Sequence, residues 1–403
     1  MKKSTVIGVV AVAVMMISLS AAIILMNQNE TEGDVKVQLV ARVNTDGSGM
    51  FAKDGLNLAT TTSGVVEFND PEWDMIVIVT PGPSTIQHVT IAQIVKDMGY
   101  NFLQYSLNTV KSSGNVYWLQ MSSAGVVTDF VSNSAIDAGI IWEPIFSQAI
   151  QQTTRNAETV FRTNDYDPGH TCCCIAVNSG FLKNNSETTV AFLAGYIKSV
   201  EFVEGAMANK IPIPAGISSL SLQDAINKLN NDPEWNEYVF LVYLSMNKTQ
   251  MSQEVVVSAL EHVTYAYADS DGTLDSLRTQ IGSLTQSFYD GGAVSLKPIS
   301  NTGSESISEF ADRFVSGTYI EEAKNYTGTK NATVGVQVIS GDIHQIALHI
   351  GDVLGFFGDY GISIEVDGAL NGPGVITALL SGEKDIGFLG APPAIINVIN
   401  MGK

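Results

Sequence analysis

Val334-Gly335-Val336-Gln337-Val338-Ile339 reads as a buried β-strand, and Ser340-Gly341-Asp342-Ile343-His344 directly after it reads as a tight turn opening a helix. The rhythm continues to the end of the chain. A helix is expected over 342–357, a strand over 362–366, a helix over 375–381, a strand over 385–389 and a helix over 392–399. Strands alternating with helices of this length specify an α/β fold with largely parallel sheets. Upstream, residues 327–333 read as an exposed linker.

The same alternation runs through the first half. Strands are expected over 35–43, 75–79 (Met-Ile-Val-Ile-Val), 116–120 and 136–141, with helices over 84–98 and 123–131. Helices dominate later, over 187–209, 221–230, 252–261, 274–289 and 307–315. His170-Thr171 leads into Cys172-Cys173-Cys174, which with Ile175, Ala176 and Val177 reads as a small apolar strand using cysteine as a compact hydrophobe. Three is an odd number, and neighbours on a strand point to opposite faces, so neither a disulfide framework nor a metal site is expected there.

Lys2 and Lys3 precede an uncharged apolar run from Thr5 to Met26. Its length suits a single membrane-spanning helix with the lysines inside and everything after it outside. A cleaved signal peptide is the competing reading, with Ser18-Leu19-Ser20 or Ser20-Ala21-Ala22 as the small-residue site. No cysteine follows the run, which excludes a lipid-modified N-terminus. Residues 1–33 are therefore expected to be an anchor or a signal, on a protein at the extracellular face of the cell membrane. Asn29, Asn184, Asn247, Asn325 and Asn331 each begin an Asn-x-Ser/Thr triplet, which fits export.

The formal net charge of −20 opposes binding to nucleic acid or to anionic lipid surfaces, both of which need basic patches. Charged residues make up only 15% of the chain, which suits a globular protein. No G-x-S-x-G, P-loop, H-E-x-x-H or Cys-x-x-Cys occurs, so no enzyme activity and no cofactor is expected. Asp269-Ser270-Asp271-Gly272 lacks the later bidentate Glu of a calcium loop and reads as a turn.

The block Ser340-Gly341-Asp342, Gly355-Phe356-Phe357-Gly358, Gly361-Ile362, Ala378-Leu379-Leu380-Ser381-Gly382 and Asp385-Ile386-Gly387 resembles the opening lobe of a transport family. That family comprises the nitrate/taurine/aliphatic-sulfonate and thiamine-pyrimidine substrate-binding proteins of ABC importers. Asn44-Thr45-Asp46-Gly47-Ser48-Gly49, Thr80-Pro81-Gly82-Pro83-Ser84-Thr85, Trp142-Glu143-Pro144 and His170-Thr171-Cys172 resemble its middle. The pieces come in the wrong order, which implies circular permutation, with a truncated duplication as the alternative.

The resemblance implies a two-lobed type II periplasmic-binding-protein clamp. Residues 34–79 would belong to the first lobe and 80–170 to the second, with 171–326 returning to the first lobe and 334–403 completing it. It implies a small, anionic solute as ligand and an ABC permease as partner, with the membrane reached through the N-terminal helix. The alternatives are a thiamine-pyrimidine synthase-like protein, whose cysteine motif this chain matches only at Cys172-Cys173-Cys174, and a sensory ectodomain.

In open α/β sheets ligands bind beyond the carboxyl ends of strands. The candidate ligand residues are accordingly Ser340, Gly341, Asp342 and His344, then Asn44, Asp46 and Ser48, then Gly390, Ala391 and Pro392, facing Pro83, Ser84, Thr85, Trp142 and Glu143. Only Arg42 lies beside these segments, so backbone donors would carry most of the anion binding.

Overall fold

The computed structural model describes residues 36–400 except 63–64, 124, 153, 295–298 and 301–302. The expected span over Thr5–Met26 lies outside the described residues. Among the described residues no helix is long and apolar enough to cross a membrane.

The chain is a mixed α/β protein built on two six-stranded sheets. The strands of these sheets are β1 (Val37–Asp46), β2 (Ser48–Ala52), β3 (Val77–Thr80), β4 (Asn101–Gln104), β5 (Asn115–Gln120) and β6 (Ala138–Trp142). They continue with β7 (Glu158–Arg162), β8 (Thr171–Asn178), β9 (Val263–Tyr265), β10 (Ala332–Ile339), β11 (Ile362–Ala369) and β12 (Ile386–Gly390). The first sheet has the order β9-β1-β8-β12-β10-β11 and the second β4-β5-β3-β6-β2-β7.

The second sheet is largely parallel, as the sequence reading expects, whereas the first is mixed. In the first, β10 is parallel to β11 and β12, but β8 runs antiparallel to both β1 and β12. In the second, β3, β4, β5 and β6 are parallel and β2 is inserted antiparallel between β6 and β7. β2 and β8 each follow a crossing between the sheets, and β9 adds an antiparallel edge beside β1.

Strands from opposite ends of the sequence share the first sheet, since β8 joins β1 on one side to β12 on the other. Its single core gathers Val37 to Val43 with Val334 to Val338 and Ile386 to Leu389, covered by the long helix Ser186–Ala208. The second sheet has a core on each face. Met50 and Ala52 enter one and Phe51 the other, as side-chain alternation along a strand requires.

Two connections link the sheets. The first is Asp46-Gly47 between β1 and β2, both in the left-handed region with φ of 64° and 85°. It therefore falls well before Thr80, and residues 48–79 belong with the second sheet rather than the first. The second connection is the short helix Thr163–Tyr166 and the turn to His170, between β7 and β8.

The helix expected over 342–357 is broken. A 3-10 turn at Ile343–Gln345 precedes an α-helix over Ile346–Leu354, which Gly355 ends with φ 79°.

Candidate functional site

A cleft of about 500 Å³ lies between the two sheets, at the ends of their strands. From the second sheet it is lined by Ser84, Thr85 and Gln87, by Gln120 to Ser123, and by Trp142. From the first it receives Cys172, Cys173, Asp342 and His344, together with Leu370 to Pro373, Gly390 and Pro393. Among the described residues lining it there is no lysine or arginine.

Helix starts face each other across this space. Thr85 caps Ile86–Asp97, its hydroxyl accepting from the His88 N–H, and Asn371 caps Gly372–Leu380, its Oδ1 accepting from Gly374 N at 3.0 Å. Each exposes unpaired N–H groups and partial positive charge to the cleft.

The floor is organised by Asp342 and His344. Asp342 Oδ1 accepts from His344 N at 3.0 Å and stands 3.1 Å from His344 Nδ1, while its Oδ2 accepts from Gln345 Nε2 at 3.2 Å. The other ring nitrogen, Nε2, lies 3.1 Å from the carbonyl of Gly47, which also accepts from Glu143 N at 2.8 Å. Burial works against charge on this ring, yet Asp342 and Cys172 hold its pKa up at about 9. An acceptor at each nitrogen, Asp342 and the Gly47 carbonyl, favours the protonated ring.

Cys172 has the complementary shift. The Cys173 thiol donates to it, and despite burial the nearby His344 and His170 help to lower its pKa, whereas Cys173 is pushed up by the same contact and by burial. All three cysteines are free and buried. From the opposite wall Gln87 Nε2 donates to Ser48 Oγ at 2.8 Å and reaches Cys172 Sγ at 4.0 Å, so the two sheets meet at this point.

Of the candidates read from the sequence, Asp342, His344, Gly390, Ser84, Thr85 and Trp142 line the cleft. The others lie elsewhere. Ser340, Gly341 and Pro83 are exposed outside it, and Ala391 and Pro392 are buried in the helix Ala391–Asn400. Asn44, Asp46 and Ser48 are buried around the first connection. Glu143 is fully buried, with Oε1 accepting from Arg162 Nη1 at 2.9 Å and from Ser147 Oγ at 3.1 Å. Arg42 is also spoken for: Nη1 pairs with Asp269 at 2.7 Å and Nε donates to Thr171.

Residues the sequence reading passed over include Cys172, Cys173, Gln87, Gln120 and Asn371. Asn371-Gly372-Pro373 carried a usable signal, since Asn followed by Gly and Pro is a helix start.

His88 sits beside the cleft rather than in it. Burial holds its imidazole down at about 4, with Nδ1 2.9 Å from Thr80 Oγ1 and its ring edge-on to Trp118. His349, half-buried on the helix Ile346–Leu354, is held down at about 3, by desolvation and then by Lys248. Both folded values lie below the ordinary value near 6.5, so the unfolded chain binds more protons as pH falls beneath it. Stability should therefore decline from about pH 6.5 toward pH 4, and His88→Asn should flatten that slope in urea titrations at stepped pH.

Compared with known proteins, the chain matches no protein-family model, and no curated sequence is similar enough to count as a relative.

Proposed function

We propose that the chain is a two-lobed solute-binding protein that closes on a small anionic solute and presents it to an importer at the outer face of the membrane. The observation that carries the reading is the cleft of about 500 Å³, walled by two separate sheets that only two connections join. Such a cleft can open and close about its connections while each sheet keeps its own core. A circularly permuted type II periplasmic-binding-protein clamp accounts for the sharing of one sheet by residues 37–46 and 332–390.

The wall chemistry supports an anion without lysine or arginine. Two capped helix starts and the hydroxyls of Ser84, Thr85, Ser122 and Ser123 provide donors and partial positive charge. The four described glycosylation triplets, at Asn184, Asn247, Asn325 and Asn331, are all on exposed asparagines, which supports an exported protein.

A thermal-shift screen of nitrate, sulfonates, bicarbonate and pyrimidine precursors tests the reading. A solute at a hundred times its dissociation constant adds about 2.7 kcal/mol to stability, a shift of several degrees. Gln120→Trp, which fills the cleft from an exposed position without touching a core or a cap, should abolish the shift. A solute that stabilises the parent and Gln120→Trp equally binds somewhere else.

A further inference from the structure

Alternation along β8 should send Cys172 and Cys173 to opposite faces, yet both line the cleft. The pairing of β8 with β1 explains this. Its register jumps from Asn44↔Cys173 to Thr45↔Thr171, leaving Cys172 opposite no residue of β1. Cys172 is the extra residue of a β-bulge, a device that re-aims a side chain. The two thiols thereby come to one place, and His344 joins them from the other end of the chain. One ligand atom from each of Cys172, Cys173 and His344 lies within 4.8 Å of the other two, and all three residues are buried.

We propose that Cys172, Cys173 and His344 form a three-ligand site for a zinc-like, thiophilic cation on the floor of the cleft. Tetrahedral zinc, with bonds of about 2.3 Å to sulfur and about 2.0 Å to nitrogen, spaces its ligand atoms about 3.5–3.8 Å apart. The cluster has to contract by only about 1 Å to reach that geometry. Two thiolates and one imidazole select such an ion over magnesium or calcium, which take oxygen ligands.

The surroundings of His344 suit a ligand as well. Metal-bound histidine keeps its ring oriented by donating its second N–H to a carboxylate or a carbonyl. Here one nitrogen has Asp342 and the other Gly47, so whichever turns to the ion leaves the other held. Three protein ligands leave a fourth position, which opens on the cleft because all three residues line it.

The neighbouring cysteine supplies the control. Cys174 is buried one residue further on, does not line the cleft, and donates to Leu389 O at 3.4 Å. The full-length chain, reduced and freed of metal, should take up one equivalent of Zn²⁺. Cd²⁺ in its place should give sulfur-to-metal charge-transfer absorption. Cys172→Ser and Cys173→Ser should each weaken Zn²⁺ at least about 100-fold, while Cys174→Ser binds as the parent does.

Uptake of no metal, or equal loss in Cys174→Ser, overturns the site. The wild-type chain provides a reading that needs no variant to fold: one equivalent of Zn²⁺ should slow maleimide modification of Cys172 and Cys173, mapped by mass spectrometry. Unchanged rates at both would equally reject it. No solute enters these measurements, so the site stands or falls separately from the transport reading.

Discussion

Replacing Gly47 by alanine is expected to cost about 3–5 kcal/mol of stability, read as a lower urea midpoint at unchanged slope. Two effects combine. The residue has φ 85°, where any side chain is strained by about 1–2 kcal/mol. An added Cβ would also stand 2.3 Å from His344 Nε2 and 3.0 Å from Val263, so the ring would have to leave its hydrogen bond to the Gly47 carbonyl. Gly55 separates the two effects. Its φ is 79°, and a Cβ added there would meet nothing within 4 Å, so Gly55→Ala should show the backbone cost alone, about 1–2 kcal/mol. Equal losses at both positions would mean that His344 is not held at the first connection.

Glu143→Ala should be the second large effect, about 3 kcal/mol. The carboxylate is fully buried, whereas the Arg162 side chain retains 20% exposure, so the arginine left behind is partly rehydrated and the loss falls at the low end for a broken buried pair. Ser147 would lose the acceptor for both its N–H and its hydroxyl, and that hydroxyl lies 3.0 Å from Ser258 Oγ on the helix Gln253–Leu260. Glu143 thus ties the end of β6 to the end of β7 and, through Ser147, to a helix that follows β8. The double replacement Glu143→Leu with Arg162→Met should recover most of the stability, since apolar residues of similar volume commonly substitute for buried pairs. A double variant as unstable as Glu143→Ala would place the loss in packing instead.

Much of this fold was legible because its buried strands announce themselves. Met75 to Val79 is uninterrupted and apolar, and it becomes a fully buried strand at Val77–Thr80. The helices over 84–98 and 307–315 have side-chain caps at Thr85 and Ser306, and these two and the helix over 187–209 end within a few residues of their expected limits. The helix Glu237–Thr249 gave no such signal. Every residue from Tyr238 to Ser245 is buried, so no polar face marks its period. Ser48–Ala52 was also obscure, because five residues including a glycine look like a continuation of the turn at Asp46-Gly47.

The site was only half legible, for a reason that lies in register. Turns that open helices, such as Ser84-Thr85 and Asp342-Ile343-His344, follow from local chemistry. Glu143 and Asp46 share the same local look, but their partners Arg162 and His170 flank the second connection, and only the folded arrangement of the strands brings them together. The bulge at Cys172 depends on how β8 pairs with β1, more than a hundred residues away, and no local pattern specifies it.

The sharing of the first sheet by both halves of the chain also sets an order of assembly. Ser48 to Arg162 hold a whole sheet and both of its cores in one stretch, which can fold as soon as it leaves the ribosome. β8 has no such freedom, because its partner β12 is made more than two hundred residues later. Until then Cys173 to Val177 present an open, apolar edge, the kind of surface that recruits foreign strands. The slow step of folding should be the docking of residues 332–390 onto that edge, with loop closure over this distance governing its rate.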